Sequence, residues 1–165
     1  MPRVFISIGT NIDREHNVRS AVRALRAQFG RLQVSPVYDT EPVGFNGDPF
    51  YNLVCSFSTE QSLEGVITQL RRIENDHGRC VGRKRFMART LDLDVLLYGD
   101  MIRHDEIDVP RSEIVQYAFV LRPLCDLAPS TSHPELGKSF AQLWLELKPA
   151  QPLKRVTGVL DANSE

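Results

Sequence analysis

The chain has 165 residues, 42% hydrophobic and 25% charged, which is typical of one ordinary globular domain. Its net charge of −1 gives no general attraction to nucleic acid or anionic membranes, so an anion site has to be built locally. Three widely spaced cysteines argue against a disulfide framework, and no apolar run has membrane-span length. We therefore expect one cytoplasmic domain over residues 1–165, with reduced cysteines and a loosely ordered tail from about residue 149.

The first hundred residues predict alternating strands and helices. An apolar run at residues 4–8, closed by Gly9, indicates a strand, and Gly9-Thr10-Asn11 predicts a turn after it. Helical spacing from Val18 then predicts a helix that stops near Gly30. Residues 32–38 and 51–57 predict two more strands, separated by a loop rich in Pro and Gly. A second helix follows at 63–73, then a polar basic loop and a fourth strand at 91–98.

The order β-α-β-β-α-β is that of the split βαβ, or ferredoxin-like, arrangement. After it, a short helix is expected beyond Val109-Pro110, another apolar segment at 119–124, and a late helix at 140–147 that carries Trp144. The sequence therefore predicts an α/β (α+β) protein with a ferredoxin-like βαββαβ core and extra C-terminal helices.

Two aspartates lie on the strongest predicted strand. Asp92 and Asp94 alternate with Leu91, Leu93 and Val95, so both carboxylates project from one face with Cα atoms about 6–7 Å apart. Asp is uncommon in strands, and two carboxylates on an apolar strand repel each other and resist burial. Carboxylate oxygens are natural ligands of Mg²⁺, so a divalent cation would relieve both costs. We favour a metal site over a solvated strand face.

The segment before this strand is strongly basic. Residues 71–89 contain seven basic and two acidic side chains, a local charge of +5. Guanidinium groups neutralise phosphate oxygens, often bidentately, and a metal ion bridges the others, so this combination suits a polyphosphate. For Arg71, Arg72 and Lys84 a solvated surface position is the better interpretation. For Arg89, so close to the two aspartates, that interpretation is weaker.

A third cluster comprises an aromatic ring and an amide. Phe50 and Asn52 share a face at the start of the third strand, beside the irregular loop. A ring can stack on a flat heterocycle, and an amide offers it both a donor and an acceptor. Each residue alone is more often structural, as a core ring or a turn cap.

Taken together, these segments resemble the 6-hydroxymethyl-7,8-dihydropterin pyrophosphokinases of folate biosynthesis. The resemblance runs from about residue 4 to 129, and its most specific part is Arg-Thr-Leu-Asp-Leu-Asp at 89–94. The other matching segments, in chain order, are Gly9-Thr10-Asn11, Phe50-Tyr51-Asn52, Arg72-Ile73-Glu74, Gly78-Arg79, Val109-Pro110 and Phe119-Val120-Leu121-Arg122-Pro123-Leu124.

The resemblance implies a reaction in which ATP and the hydroxymethyl pterin give AMP and the pterin diphosphate. It implies two Mg²⁺ ions on Asp92 and Asp94, with Arg79 and Arg89 completing the catalytic group. It also implies a monomer with small-molecule substrates and neither a nucleic acid nor a membrane partner. The implied pterin pocket comprises Thr40, Pro42, Val43, Phe50, Asn52 and Phe119. The implied ATP site comprises Glu74, Arg79, Arg83, Phe86, Arg89, Val95 and Arg111.

Some positions depart from the family's pattern. Phe86-Met87-Ala88 stands where an aromatic residue followed by Gly-Pro is usual, and Val81 where an ATP-contacting arginine is common. Arg111 replaces a usual histidine, Tyr117 a usual arginine and Glu41 a common proline. The metal and pterin residues are kept, so the chain resembles a divergent branch.

Two other functions are compatible with parts of this pattern. A catalytically weak paralogue would bind pterin or nucleotide without turnover. A ferredoxin-like nucleic-acid module would use the basic residues 79–89, but acidic side chains within the sheet and the net charge of −1 disfavour it.

Overall fold

A computed structural model of the protein describes residues 1–44, 46–78 and 91–160. In these residues the strands are β1 (Arg3–Thr10), β2 (Gln33–Val34), β3 (Val37–Thr40), β4 (Phe50–Ser58), β5 (Asp92–Tyr98), β6 (Arg103–His104), β7 (Asp108–Val109) and β8 (Lys154–Val156). The helices are α1 (Arg14–Phe29), α2 (Leu63–Asp76), α3 (Ala118–Leu127) and α4 (Phe140–Leu147), with a 3-10 helix at Ser112–Val115. Across the same residues, none of the helices combines the length and the apolar character that a membrane span requires.

The main sheet has the strand order β5-β1-β4-β3-β8, and β2 also pairs with β4. All these pairings are antiparallel. Placing the last core strand beside the first, and the third beside the first on the other side, gives the ferredoxin-like order, so the predicted fold class is confirmed. β6 and β7 form a separate two-stranded ribbon.

The predicted strand at 32–38 is divided into β2 and β3. Pro36 has no backbone N–H to donate to β4, so the ladder is interrupted there. Ser35 bridges the break: its N–H donates to the Val54 carbonyl at 2.8 Å, and its hydroxyl accepts from the Val54 N–H at 2.9 Å.

One face of the sheet is covered by α1 and α2. Residues 18, 21, 22 and 25 of α1 follow the helical repeat and are buried, and α1 ends before Gly30, whose φ of 83° only glycine adopts easily. α2 is capped at its N-terminus by Ser62, whose hydroxyl accepts from the Gly65 N–H at 3.1 Å. The resulting core is apolar and includes Ile6, Ile8, Val18, Leu25, Leu53, Leu70, Leu93 and Val95.

Within the described residues, the other face of the sheet is covered only in part. Phe5 of β1, Val54 of β4, and Leu96 and Leu97 of β5 form a second core with residues of α3 and α4, including Leu121, Leu124 and Phe140. A β-bulge makes this possible, because the register passes from Ile6–Val95 to Phe5–Leu97 and leaves Leu96 as an extra residue. Both leucines therefore reach this core, although they are consecutive.

The tail contains more regular structure than the sequence predicted. β8 adds an edge strand to the sheet by pairing with β3. Arg19 of α1 donates to the Val159 carbonyl at 2.7 Å, and the Gln151 side chain accepts from the Ala118 N–H at 2.7 Å at the start of α3. Contacts with distant elements, which composition does not reveal, hold the described part of the tail.

Candidate active site at the open end of the sheet

The predicted metal and pterin residues lie at the same end of the sheet. Gly9 of β1 pairs with Asp92 on one side and with Asn52 on the other. Tyr38 extends this row by pairing with Asn52, and Thr40 pairs with Phe50. Neighbouring antiparallel strands place paired Cα atoms roughly 5 Å apart, so the aspartate and the amide lie about 10 Å apart across Gly9.

Gly9 allows the side chains of Asn52 and Phe50 to approach β1 closely. A Cβ atom on Gly9 would lie 3.0 Å from Oδ1 of Asn52 and 3.9 Å from the Phe50 ring, so these two side chains project over it from one face. The sequence predicted a turn here, but β1 continues through Gly9 to Thr10. The glycine is required by the close approach of Asn52 and Phe50 rather than by a turn.

The two aspartates project from the partly covered face, as predicted. Leu91, Leu93 and Val95 lie in the opposite core. The Asp94 side chain is only 18% exposed. Burial, followed by repulsion from Asp92, raises the pKa of Asp94 to about 6, although the positive charges of Arg111 and Arg71 act in the other direction.

Two guanidinium groups face Asp94 from different elements. Nη2 of Arg71 in α2 lies 4.0 Å from Oδ1, and Nη2 of Arg111 lies 3.8 Å from Oδ2. Arg111 is oriented by Glu113, which its Nη2 approaches to 3.0 Å, and its backbone N–H donates to the Leu96 carbonyl at 2.9 Å. Arg111, which was predicted for the ATP site, therefore lies beside Asp94. Arg71, which was expected to be only a surface residue, lies beside Asp94 as well.

Glu74 is fully buried and connects α2 to β5. Its Oε1 accepts from Arg71 at 2.6 Å, and its Oε2 accepts from the Leu93 N–H at 2.9 Å. A group without exposed surface does not reach a nucleotide directly in this structure. The contacts given above for Glu74, predicted to lie near the nucleotide, are with Arg71 and the β5 backbone.

The residues predicted for the pterin pocket surround Asn52. The Asn52 amide donates to the hydroxyl of buried Thr40, which fixes the orientation of the amide. Pro42 is half-buried, and Val43 is 45% exposed in the loop after β3. This loop leaves β3 beside Phe50, the residue that pairs with Thr40.

Phe119 lies in the first turn of α3 and is partly buried against the second core. The ring of Tyr117 stacks on it with a centroid distance of 5.0 Å and an interplanar angle of 12°. Tyr117 therefore occupies one face of the Phe119 ring. Tyr117 stands where an arginine is usual, so an aromatic ring that stacks on Phe119 replaces a positive charge at this position.

Five of the ATP-site predictions cannot be placed beside the aspartates. Arg79, Arg83, Phe86 and Arg89 lie outside the described residues, as do the departures at Val81 and Met87. Val95 is described, but its side chain is buried in the core under the two helices, on the face opposite the aspartates. Only its backbone is available on the side of the site, because alternate residues of a strand point in opposite directions.

The donor set fits Mg²⁺ bound together with a polyphosphate. Within residues 1–44, 46–78 and 91–160, no cluster of three or more His, Cys, Asp and Glu side chains forms a complete protein cage for a metal. Mg²⁺ is commonly held by one or two carboxylates, with waters and substrate phosphates as the remaining ligands. Asp92 and Asp94 meet that requirement, and their mutual repulsion favours a cation between them.

Comparison with known proteins identifies the family of this chain. Residues 5–129 match the sequence model of the 7,8-dihydro-6-hydroxymethylpterin-pyrophosphokinase family. The 2-amino-4-hydroxy-6-hydroxymethyldihydropteridine pyrophosphokinase of Pseudomonas aeruginosa is 34% identical over 94% of this chain and 98% of its own length. The protein of the same name in Haemophilus influenzae is 32% identical over 86% of this chain and 94% of its own length. The chain belongs to the 7,8-dihydro-6-hydroxymethylpterin-pyrophosphokinase family.

Larger relatives contain this domain as one part. The folic acid synthesis protein FOL1 of Dictyostelium discoideum is 32% identical over 87% of this chain, which spans only 22% of that protein. Among solved structures, wild-type Plasmodium falciparum HPPK-DHPS with pteroate has a TM-score of 0.71 and 14% identity, covering 88% of this chain and 44% of that one. At this identity the structural match supports the fold alone.

Proposed function

We propose that the protein transfers a diphosphate group from ATP to 6-hydroxymethyl-7,8-dihydropterin, which gives AMP and the pterin diphosphate in folate biosynthesis. The observation that carries the proposal is the row Asp92–Gly9–Asn52 across three adjacent strands. In this row Asp92, one of the two proposed metal ligands, and the Asn52 amide lie about 10 Å apart on the same face of the sheet. That arrangement matches a substrate with a flat heterocycle at one end and a reacting hydroxyl at the other.

In this reaction the pterin hydroxyl oxygen forms a bond to the β-phosphorus of ATP. The bond from that phosphorus to the oxygen bridging it to the α-phosphorus breaks, AMP leaves with the electron pair, and the hydroxyl loses its proton. Catalysis of this kind depends mainly on alignment and on neutralising phosphate charge. No strong base is required, and we assign Asp92 the role of accepting or relaying the proton.

Asp92 and Asp94 would hold two Mg²⁺ ions, which neutralise the triphosphate when bound. We assign Arg111 a contact with phosphate oxygens, which is supported by its position 3.8 Å from Asp94 and its bond to Glu113. Arg79 and Arg89 are assigned the same role by family resemblance. The ATP contacts of Arg83 and Phe86 are proposed on the same basis, with a backbone contact for Val95 and an indirect one for Glu74.

We assign the pterin edge to Asn52, whose amide is oriented by Thr40. Phe50 and Phe119 are proposed to stack on the two faces of the ring, and Pro42 and Val43 to border the pocket. The proposal further includes a monomeric, cytoplasmic enzyme that acts on small molecules without a nucleic-acid partner. Light scattering after gel filtration tests the monomer.

The direct test is AMP formation from ATP and 6-hydroxymethyl-7,8-dihydropterin in the presence of Mg²⁺. We expect AMP and pterin diphosphate in equal amounts, and none when Mg²⁺ is chelated. Absence of AMP at high protein concentration would overturn the proposal. If calorimetry then showed pterin binding without turnover, the protein would be a binding paralogue, in agreement with its departures at Arg111 and Tyr117.

A further inference from the structure

Arg71 lies beside Asp94, although neither the sequence pattern nor the family resemblance assigned it a role. It occupies the exposed side of α2, where a solvated arginine was expected, and its side chain is 46% exposed. Its charged end is nevertheless bound: Nη1 donates to Glu74 Oε1 at 2.6 Å and to the Leu93 carbonyl at 3.2 Å. Its second terminal nitrogen, Nη2, is directed to Asp94 at 4.0 Å.

These contacts join three parts of the site through one planar group. Glu74 anchors the guanidinium from within α2 and also accepts the Leu93 N–H. Arg71 donates to the carbonyl of the same residue, so side chains of α2 bind both the N–H and the carbonyl of Leu93. Leu93 lies between the two aspartates, and fixing its peptide groups therefore fixes the strand from which both carboxylates project.

We propose that Arg71 is a positioning residue for the metal-binding carboxylates: by bridging Glu74, Leu93 and Asp94 it sets the direction in which Asp94 presents its oxygens. The proposal rests on the assignment of Asp94 as a metal ligand in the proposed function. Arg71 is not placed in contact with substrate. Its expected effect is on metal binding, since partners that orient the ligands of a metal typically change its affinity by about 10–100-fold.

The charge of Arg71 and its orienting contacts have opposite expected effects on the affinity for a divalent metal. A positive group 4.0 Å from Asp94 repels a dication, so an effect of charge alone means that removing it tightens metal binding. An orienting effect means that removing it weakens metal binding. Lysine separates the two, because it keeps the charge but has no planar fork with which to engage three acceptors at once.

The experiment measures Mn²⁺ binding from the paramagnetic resonance signal of free Mn²⁺, with the protein saturated by α,β-methylene-ATP. Arg71→Lys and Arg71→Met are compared with wild type, and Arg72→Lys, on the exposed neighbour in α2, is the matched control. We expect Arg71→Lys to weaken Mn²⁺ binding about tenfold or more. The Mg²⁺ concentration for half-maximal AMP formation should rise in parallel while the KM for the pterin stays at its wild-type value.

Equal Mn²⁺ affinity in Arg71→Lys and wild type would overturn the proposal, even if the melting temperature fell, because the role would then be structural. Tighter Mn²⁺ binding in Arg71→Met would overturn it in favour of a charge effect. Should Arg71→Met not fold, because buried Glu74 loses its partner, the lysine variant decides. If wild type itself neither binds Mn²⁺ nor makes AMP, the proposed function fails first and independently.

Discussion

The two halves of β5 have opposite characters on the same face of the sheet. Asp92 and Asp94 project into the open end, whereas Leu96 and Leu97 are buried beneath α3 and α4. The change from carboxylates to buried leucines occurs between Asp94 and Leu96 and coincides with the β-bulge at Leu96. One strand thus supplies both the ligands of the proposed metal site and part of the core that holds this site in place.

The boundary between the two halves of β5 explains why the Asp94 carboxylate is weakly solvated and still borders the proposed metal site. Asp94 is 18% exposed because the covered half of the face begins directly beside it. The second core provides rigidity, and the two arginines that face Asp94 limit the electrostatic cost. Four substitutions or conditions test this division, from the largest expected effect to the smallest.

The open half is tested by Asp94→Asn. The amide keeps the shape of the side chain but loses the charge that binds a dication, so AMP formation should fall by more than ~10²-fold, the upper effect expected for an orienting partner. Thermal unfolding should stay cooperative, with a melting temperature at or above that of wild type in the absence of metal. Asp100→Asn, on an exposed residue just after the strand, is the control. Loss of the unfolding transition would identify the aspartate as structural instead.

The covered half is tested by Leu96→Ala. Leu96 is fully buried, so truncation leaves a cavity and should lower the free energy of unfolding by about 2–5 kcal/mol, measured by urea denaturation. The kcat of the folded protein should stay close to wild type, because the backbone bond from Arg111 to the Leu96 carbonyl is retained. Leu145→Ala, at a residue 69% exposed on α4, should change stability by less than about 0.5 kcal/mol. A collapse of kcat in the leucine variant would contradict the division.

The gap between metal and pterin regions is tested by Gly9→Ala. The added Cβ would lie 3.0 Å from Oδ1 of Asn52, so the amide has to move by a few tenths of an ångström. Because a 1 Å misplacement costs about a hundredfold, we expect the KM for the pterin to rise roughly tenfold, with the KM for ATP unchanged. Ser7→Ala, on the same face of β1, is the control. An unchanged KM for the pterin would remove Asn52 from the pocket.

The pH dependence of stability follows from Asp94. Its pKa stands at about 6 in the folded protein against 3.8 ordinarily, so the protonated form stabilises the metal-free fold below about pH 4. This contribution is lost as the pH rises through 6. Melting temperatures of wild type relative to Asp94→Asn should therefore decline between pH 4 and 7 without metal. With Mg²⁺ and ATP the decline should disappear, since the ionised carboxylate then has a counter-charge. A flat difference without metal would contradict the raised pKa.

Much of the fold followed from local patterns in the sequence. The helix predicted at 140–147 is α4, and the one predicted at 63–73 is the greater part of α2. The strand at 32–38 was predicted as continuous, since its apolar alternation masks the missing N–H of Pro36. The edge strand in the tail was not predicted, because its pairing partner β3 lies far away in the sequence.

The candidate site was predictable where it depends on alternation. Asp92 and Asp94, and likewise Phe50 and Asn52, share a face because a strand repeats every two residues. Arg71 was predicted to be a solvated surface residue, and its side chain is 46% exposed. Its approach to Glu74 and Asp94 was not predicted, although Glu74 three positions later was an available sign of an ion pair on the helix. Gly9 was assigned to a turn because the letter alone does not distinguish a turn from a close approach of neighbouring side chains.

The sequence by itself determined the ferredoxin-like order of elements, the family and the paired carboxylates, since these depend on periodicity and short motifs within single elements. The tertiary structure alone decided that Asn52 lies across Gly9 from Asp92, and that Arg71 and Arg111 face opposite oxygens of Asp94. The physical reason is register. The packing of the cores sets which residues meet between two strands or between a helix and a strand. The bulge at Leu96 shifts this register within β5, the strand that carries Asp92 and Asp94.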